Sequence, residues 1–61
     1  MIYLMYQLNS KDNLIDLYKI EEGKKHYLRD FMDRENLLLW LEANYDMANL
    51  LIINKNNNFK I

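Results

Sequence analysis

The sequence predicts a small α+β domain: a mostly antiparallel sheet of three or four strands, in the order β-β-β-α-β, with one helix packed on one face. Three observations carry that expectation. Three stretches rich in β-formers set their residues on two sides with a period of two, polar turn clusters separate them, and a run of good helix formers follows a capping aspartate. The whole chain, 1–61, reads as a single domain with no repeat and no linker.

The first strand covers Ile2 to Leu8, with Ile2, Leu4, Tyr6 and Leu8 on one side and Tyr3, Met5 and Gln7 on the other. Asn9 to Asn13 is an unbroken polar cluster of turn formers and marks a hairpin. The second strand, Leu14 to Ile20, sets Ile15 and Leu17 against Asp16, Tyr18 and Ile20. Gly23, the only glycine, then stands where a tight hairpin needs a positive φ. The third strand, Lys25 to Phe31, alternates Tyr27, Arg29 and Phe31 with His26, Leu28 and Asp30; a helix is the competing assignment.

Asp33 is a good N-cap, Glu35 suits the positive end of the helix dipole, and Met32 and Leu37 stand at hydrophobic-staple spacing. The helix is therefore expected from Arg34 to Tyr45, with Asn44 or the Asp46 to Asn49 stretch ending it. Leu50 to Ile53 is a short all-apolar run, as in a strand buried on both faces. Lys55 to Asn58 reads as a polar turn, and Phe59 to Ile61 as a short added strand. The expected core is Leu4, Tyr6, Ile15, Leu17, Tyr27, Phe31, Leu37, Leu41, Tyr45, Leu51 and Ile53.

Composition excludes several classes. A chain this short buries only about 60% of the surface its unfolded form exposes, so its core is thin. Small domains often compensate with disulfides, a metal or oligomerisation. There is no cysteine and a single histidine, His26, so staples and a zinc site are out and no cofactor is expected. The net charge of −1, from eight basic and nine acidic residues, gives no strong field for nucleic acid. The longest apolar runs, Leu37 to Leu41 and Leu50 to Ile53, are far below the roughly 18 residues of a membrane span. The start of the chain has no secretory pattern, so the expected location is the cytoplasm.

Catalytic chemistry finds no support. His26 lacks a second histidine or spaced carboxylates, Asp33 is accounted for as a cap, Ser10 lies in a turn, and one glycine cannot build a phosphate loop. Two binding surfaces remain. On the helix, Leu39, Trp40, Ala43 and Met47 are surplus to the stripe of Leu37, Leu38, Leu41, Tyr45 and Ala48, and form a candidate patch for a protein partner or a second copy of the chain. On the strands, Lys24, Lys25 and Arg29 with Tyr18 and Tyr27 form a secondary candidate for nucleic acid, weakened by Glu21, Glu22 and Asp30 nearby.

The expected function is a non-enzymatic protein-interaction module. The short chain, rich in Asn, Lys and Ile and without proline, resembles in composition the stand-alone proteins of phages and mobile elements of Gram-positive bacteria. That likeness implies an inhibitor of a host or defence protein, acting by occupying its surface.

Overall fold

The computed structural model of the chain describes residues 1–55. Strands β1 (Ile2–Asn9), β2 (Leu14–Glu21) and β3 (Lys24–Phe31) form an antiparallel meander, followed by helix α1 (Arg34–Asn44), a 3-10 turn (Met47–Asn49) and strand β4 (Leu50–Asn54). The sheet order is β3-β2-β1-β4, with β4 parallel to β1. The fold is thus the expected small α+β arrangement, and the third segment is a strand. The expected turn at Lys55 to Asn58 extends beyond the described residues, and the short strand at Phe59 to Ile61 lies outside them.

Local chemistry explains the connections. The first loop closes with the Asn13 amide donating to the Asn9 carbonyl at 2.8 Å, while Asn9 Oδ1 and Asp12 Oδ1 each accept a loop amide at 3.0 Å. The second hairpin turns on Glu22 and Gly23, with φ of 54° and 75°. Two successive positive φ values match the right-handed twist of the flanking strands, and glycine adopts its value without a Cβ clash. Asp33 caps α1 as expected, accepting from the Asn36 amide at 2.9 Å.

The helix ends at Asn44, the earlier of its two expected ends. Asn44 Nδ2 donates to the Trp40 carbonyl at 2.8 Å, and Asp46 starts the 3-10 turn by accepting from the Ala48 amide at 3.1 Å and from Asn49 Nδ2 at 3.0 Å. Side chains that compete with the backbone for hydrogen bonds make such stops. Met47 and Ala48 therefore leave the helix and do not continue its stripes.

The connection from β3 through α1 to β4 carries the helix over one face of the sheet. Leu4, Ile15, Leu17 and Phe31 from the sheet meet Leu37 and Leu41 from the helix in the buried core, with Ile2, Tyr6, Leu28, Trp40, Tyr45, Leu50 and Ile52 packed around it. Three expected core residues lie elsewhere: Tyr27, Leu51 and Ile53 are 55%, 44% and 39% exposed. For β4 the cause is phase. Four consecutive apolar residues carry no alternation, and the register with β1 sets Leu50 and Ile52 opposite Ile2 and Leu4 on the helix side.

For Tyr27 the cause is a β-bulge. Arg29 pairs with Leu17 and Tyr27 with Tyr18, which leaves Leu28 as the extra residue. The alternation expected for Tyr27, Arg29 and Phe31 breaks there. Arg29 stays on the helix side, and Tyr27 passes to the other. Leu38, expected on the buried stripe, is also half-exposed because the sheet contacts a stripe narrower than the one the sequence offers.

Candidate functional site

Strand alternation and register define the second face of the sheet as three transverse rows. Leu51, Tyr3, Ile20 and Lys25 form the first across β4, β1, β2 and β3; Ile53, Met5, Tyr18 and Tyr27 form the second. Gln7, Asp16 and Asp30 form the third, at one end. None of the described elements packs on this face. Two contiguous apolar and aromatic rows therefore stand at the surface, between a cation at one corner and two carboxylates at the far end.

The face has internal order. Tyr18 and Tyr27 meet edge to face with ring centroids 5.7 Å apart, and Lys25 Nζ lies 4.7 Å from the centre of the Tyr18 ring. Such contacts hold side chains in place at low cost, with an exposed cation–π pair worth about 0.5–1 kcal/mol. At the acidic end Asp16 is buried and accepts from Asn9 Nδ2 at 3.3 Å. The Tyr27 hydroxyl is pushed above its ordinary pKa, first by loss of hydration, then by the charges of Asp30 and Asp16 and by its hydrogen bond to Asp30. Gln7 Oε1 is buried without a hydrogen-bond partner among the described residues. It is an acceptor without a donor, beside carboxylates that also accept.

The expected strand candidates divide between the two faces. Lys25 and Tyr27 share the uncovered one. Lys24 and Arg29 do not, since Glu21 pairs with Lys24 and Leu17 with Arg29 on the helix side of the sheet. The Arg29 guanidinium lies 4.7 Å from the Phe31 ring centre and 5.8 Å from that of Trp40. Its planar cation is spent on aromatic packing at the domain's own rim.

The expected helix candidates divide as well. Leu39 and Ala43 are exposed on α1. Trp40 is half-buried, its ring meeting Phe31 and Tyr45 edge to face at 5.7 and 5.9 Å. Met47, exposed in the 3-10 turn, no longer shares a helical flank with it. A shallow cleft of about 480 Å³ runs beside Trp40 between the end of β3 and the start of α1, lined by Arg29, Asp30, Met32 and Asn36 among others. Its walls hold no nucleophile paired with a base.

Tyr3, Met5, Ile20, Leu51 and Ile53 were not among the expected site residues. The signal was present in β1 and β2, whose alternation is apolar on both phases: Tyr3 and Met5 oppose Leu4 and Tyr6, and Tyr18 and Ile20 oppose Leu17. A strand with two apolar phases has two faces to bury, and one helix covers one of them. Among the described residues no group of three or more metal-ligating side chains converges, and no helix is long and apolar enough to cross a membrane. Comparison with protein-family models, with curated proteins and with solved structures finds no match to this chain.

Proposed function

We propose that the chain is a non-enzymatic protein-binding module whose working surface is the second face of its sheet, the one that no described element covers. The observation that carries this reading is the pair of contiguous rows, Leu51, Tyr3 and Ile20 beside Ile53, Met5, Tyr18 and Tyr27, of which Tyr3, Tyr27, Leu51 and Ile53 are exposed and Ile20, Met5 and Tyr18 partly so, in a domain with a thin core. Contiguous apolar surface of this kind marks interaction sites, and aromatics dominate their energetics. The helix flank of Leu39 and Ala43 is the lesser candidate because Trp40, the large anchor expected there, packs inward against Phe31 and Tyr45. The compositional likeness to short phage and mobile-element proteins extends the proposal to inhibition of a host or defence protein by occupation of its surface.

Nucleic acid is the second reading, favoured by one observation, the Lys25 ammonium over Tyr18 beside Tyr27. Asp16 and Asp30 on the same face oppose it, because phosphates approach carboxylates at a cost. Capture experiments with tagged chain separate these readings. Ile53→Asp should lose the captured protein while Leu39→Asp retains it. The converse would move the site to the helix. Retention of single-stranded nucleic acid that falls with salt and with Lys25→Asp would replace protein binding altogether.

A further inference from the structure

We infer that the occupant of the uncovered sheet face is a second copy of this chain, laid face to face so that the two sets of strands run in opposite directions. The inference rests on the reading of that face as the binding surface and goes beyond it by naming the partner.

The arrangement of charge along the strands selects the second copy. When the two sheets pack aligned, a symmetric pair stacked on one sheet face has its two-fold axis between the sheets, close to the strand direction or close to perpendicular to it. An axis along the strands keeps each row at its own level. The Asp16 and Asp30 rows of both copies then share one layer, four carboxylates together in a closing interface, which like charges oppose. An axis across the strands, on the line of the middle row, exchanges the ends. Lys25 of each copy then comes over Asp30 of the other, and the middle row of Ile53, Met5, Tyr18 and Tyr27 meets itself.

The same operation brings Tyr3 of one copy, at 46% exposure, over the Gln7 side chain of the other. Basic corner on acidic end and middle row on middle row follow from one rotation, which also sets Ile20 of each copy over the buried Asp16 of the other. The face is self-complementary.

The size limits the pair to a weak, reversible dimer. Four strands at about 4.8 Å spacing and five residues at about 3.3 Å give a footprint of about 19 by 17 Å. That is about 320 Å² of flat area per copy and about 650 Å² for the pair, below the roughly 1,200 Å² of stable specific interfaces, so the pair should be weak and dissociate on dilution. Aligned sheets pack about 10 Å apart with strands crossed by about 30°, within reach of a lysine side chain.

Sedimentation equilibrium of the intact chain across a wide concentration range, at low and high salt, tests the inference. The expected result is a monomer–dimer equilibrium that weakens at least several-fold in high salt. Ile53→Asp should weaken it at least ten-fold while circular dichroism stays native, and Leu51→Lys should do the same if the first variant misfolds. Lys25→Asp and Asp30→Lys should each weaken it several-fold, and the double variant should recover most of the loss, because the swapped charges again face each other.

A dimer indifferent to Ile53→Asp and Leu51→Lys but lost in Leu39→Asp would overturn the inference in favour of the helix flank. A chain that stays monomeric at every concentration would also overturn it. In that event, protein capture that is still lost in Ile53→Asp would leave the face as a binding surface for a different protein. Capture indifferent to Ile53→Asp would remove the face as well.

Discussion

The two faces of the sheet are built from similar residues and meet different fates. On one, Leu4, Ile15, Leu17 and Phe31 lie buried under Leu37 and Leu41. On the other, Tyr3, Leu51 and Ile53 stand well exposed and Met5, Tyr18 and Ile20 half so. Residue type does not separate the sets, since leucine and isoleucine occur in both. Topology does. A single crossover from β3 to β4 brings one helix to one side, and its 11 residues cover a strip about 16 Å long and 10 Å wide. A four-stranded sheet has two such faces, so a chain of this size leaves one for something outside its described elements.

The sharpest way to break the comparison is to cut the same group from both faces. Leu41→Ala removes a fully buried side chain and should cost about 2–5 kcal/mol, most of the roughly 3–9 kcal/mol expected for a chain of this length. Leu51→Ala, measured in dilute solution, should cost no more than about 0.5–1 kcal/mol, because half of that side chain is already in water. Urea denaturation followed by Trp40 fluorescence reads both. Equal losses would mean that the second face is covered within the single chain.

Trp40 gives a finer cut because it sits at the border of the covered face. Trp40→Ala forfeits two edge-to-face contacts and the Arg29 cation, each worth about 0.5–1.5 kcal/mol, so a loss of about 2 kcal/mol is expected, and Arg29→Ala alone should reproduce only a part of it. A stability change near zero would return Trp40 to the role of a surface anchor. Smaller still is Asp33→Ala, which strands the Asn36 amide and should cost about 1 kcal/mol by thermal or urea melting.

How much of this was legible follows from how alternation works. The four strands, the Glu22–Gly23 turn and the Asp33 cap were readable because each has a local cause: period two, a positive φ, a carboxylate beside free amides. Which face a residue occupies was readable only while the period held. Leu28 breaks it in β3 by adding one residue, and nothing in the sequence Tyr27-Leu28-Arg29 announces the bulge. In β4, Leu50 to Ile53 has no period to read, and its phase comes from pairing with β1, a contact made across most of the chain. The candidate site was missed for the same reason: its two apolar rows are assembled by register, and no single segment contains them.

The smallest effect tests the uncovered face without a core substitution. Tyr27 is held above its ordinary pKa near 10 by lost hydration and by Asp30 and Asp16, so it should ionise later than a free tyrosine side chain. The sign for stability follows directly. The unfolded chain releases this proton first, so the contribution is complete below the ordinary value and is lost as pH rises through the folded one. Absorbance of tyrosinate in an alkaline titration should therefore show a late step that is absent in Tyr27→Phe and moves earlier in Asp30→Asn. Pairing of two copies would withdraw further water from the Tyr27 ring, so the late step should move still higher as concentration rises. A step that ignores concentration while sedimentation reports a dimer would mean that the copies meet on some other surface.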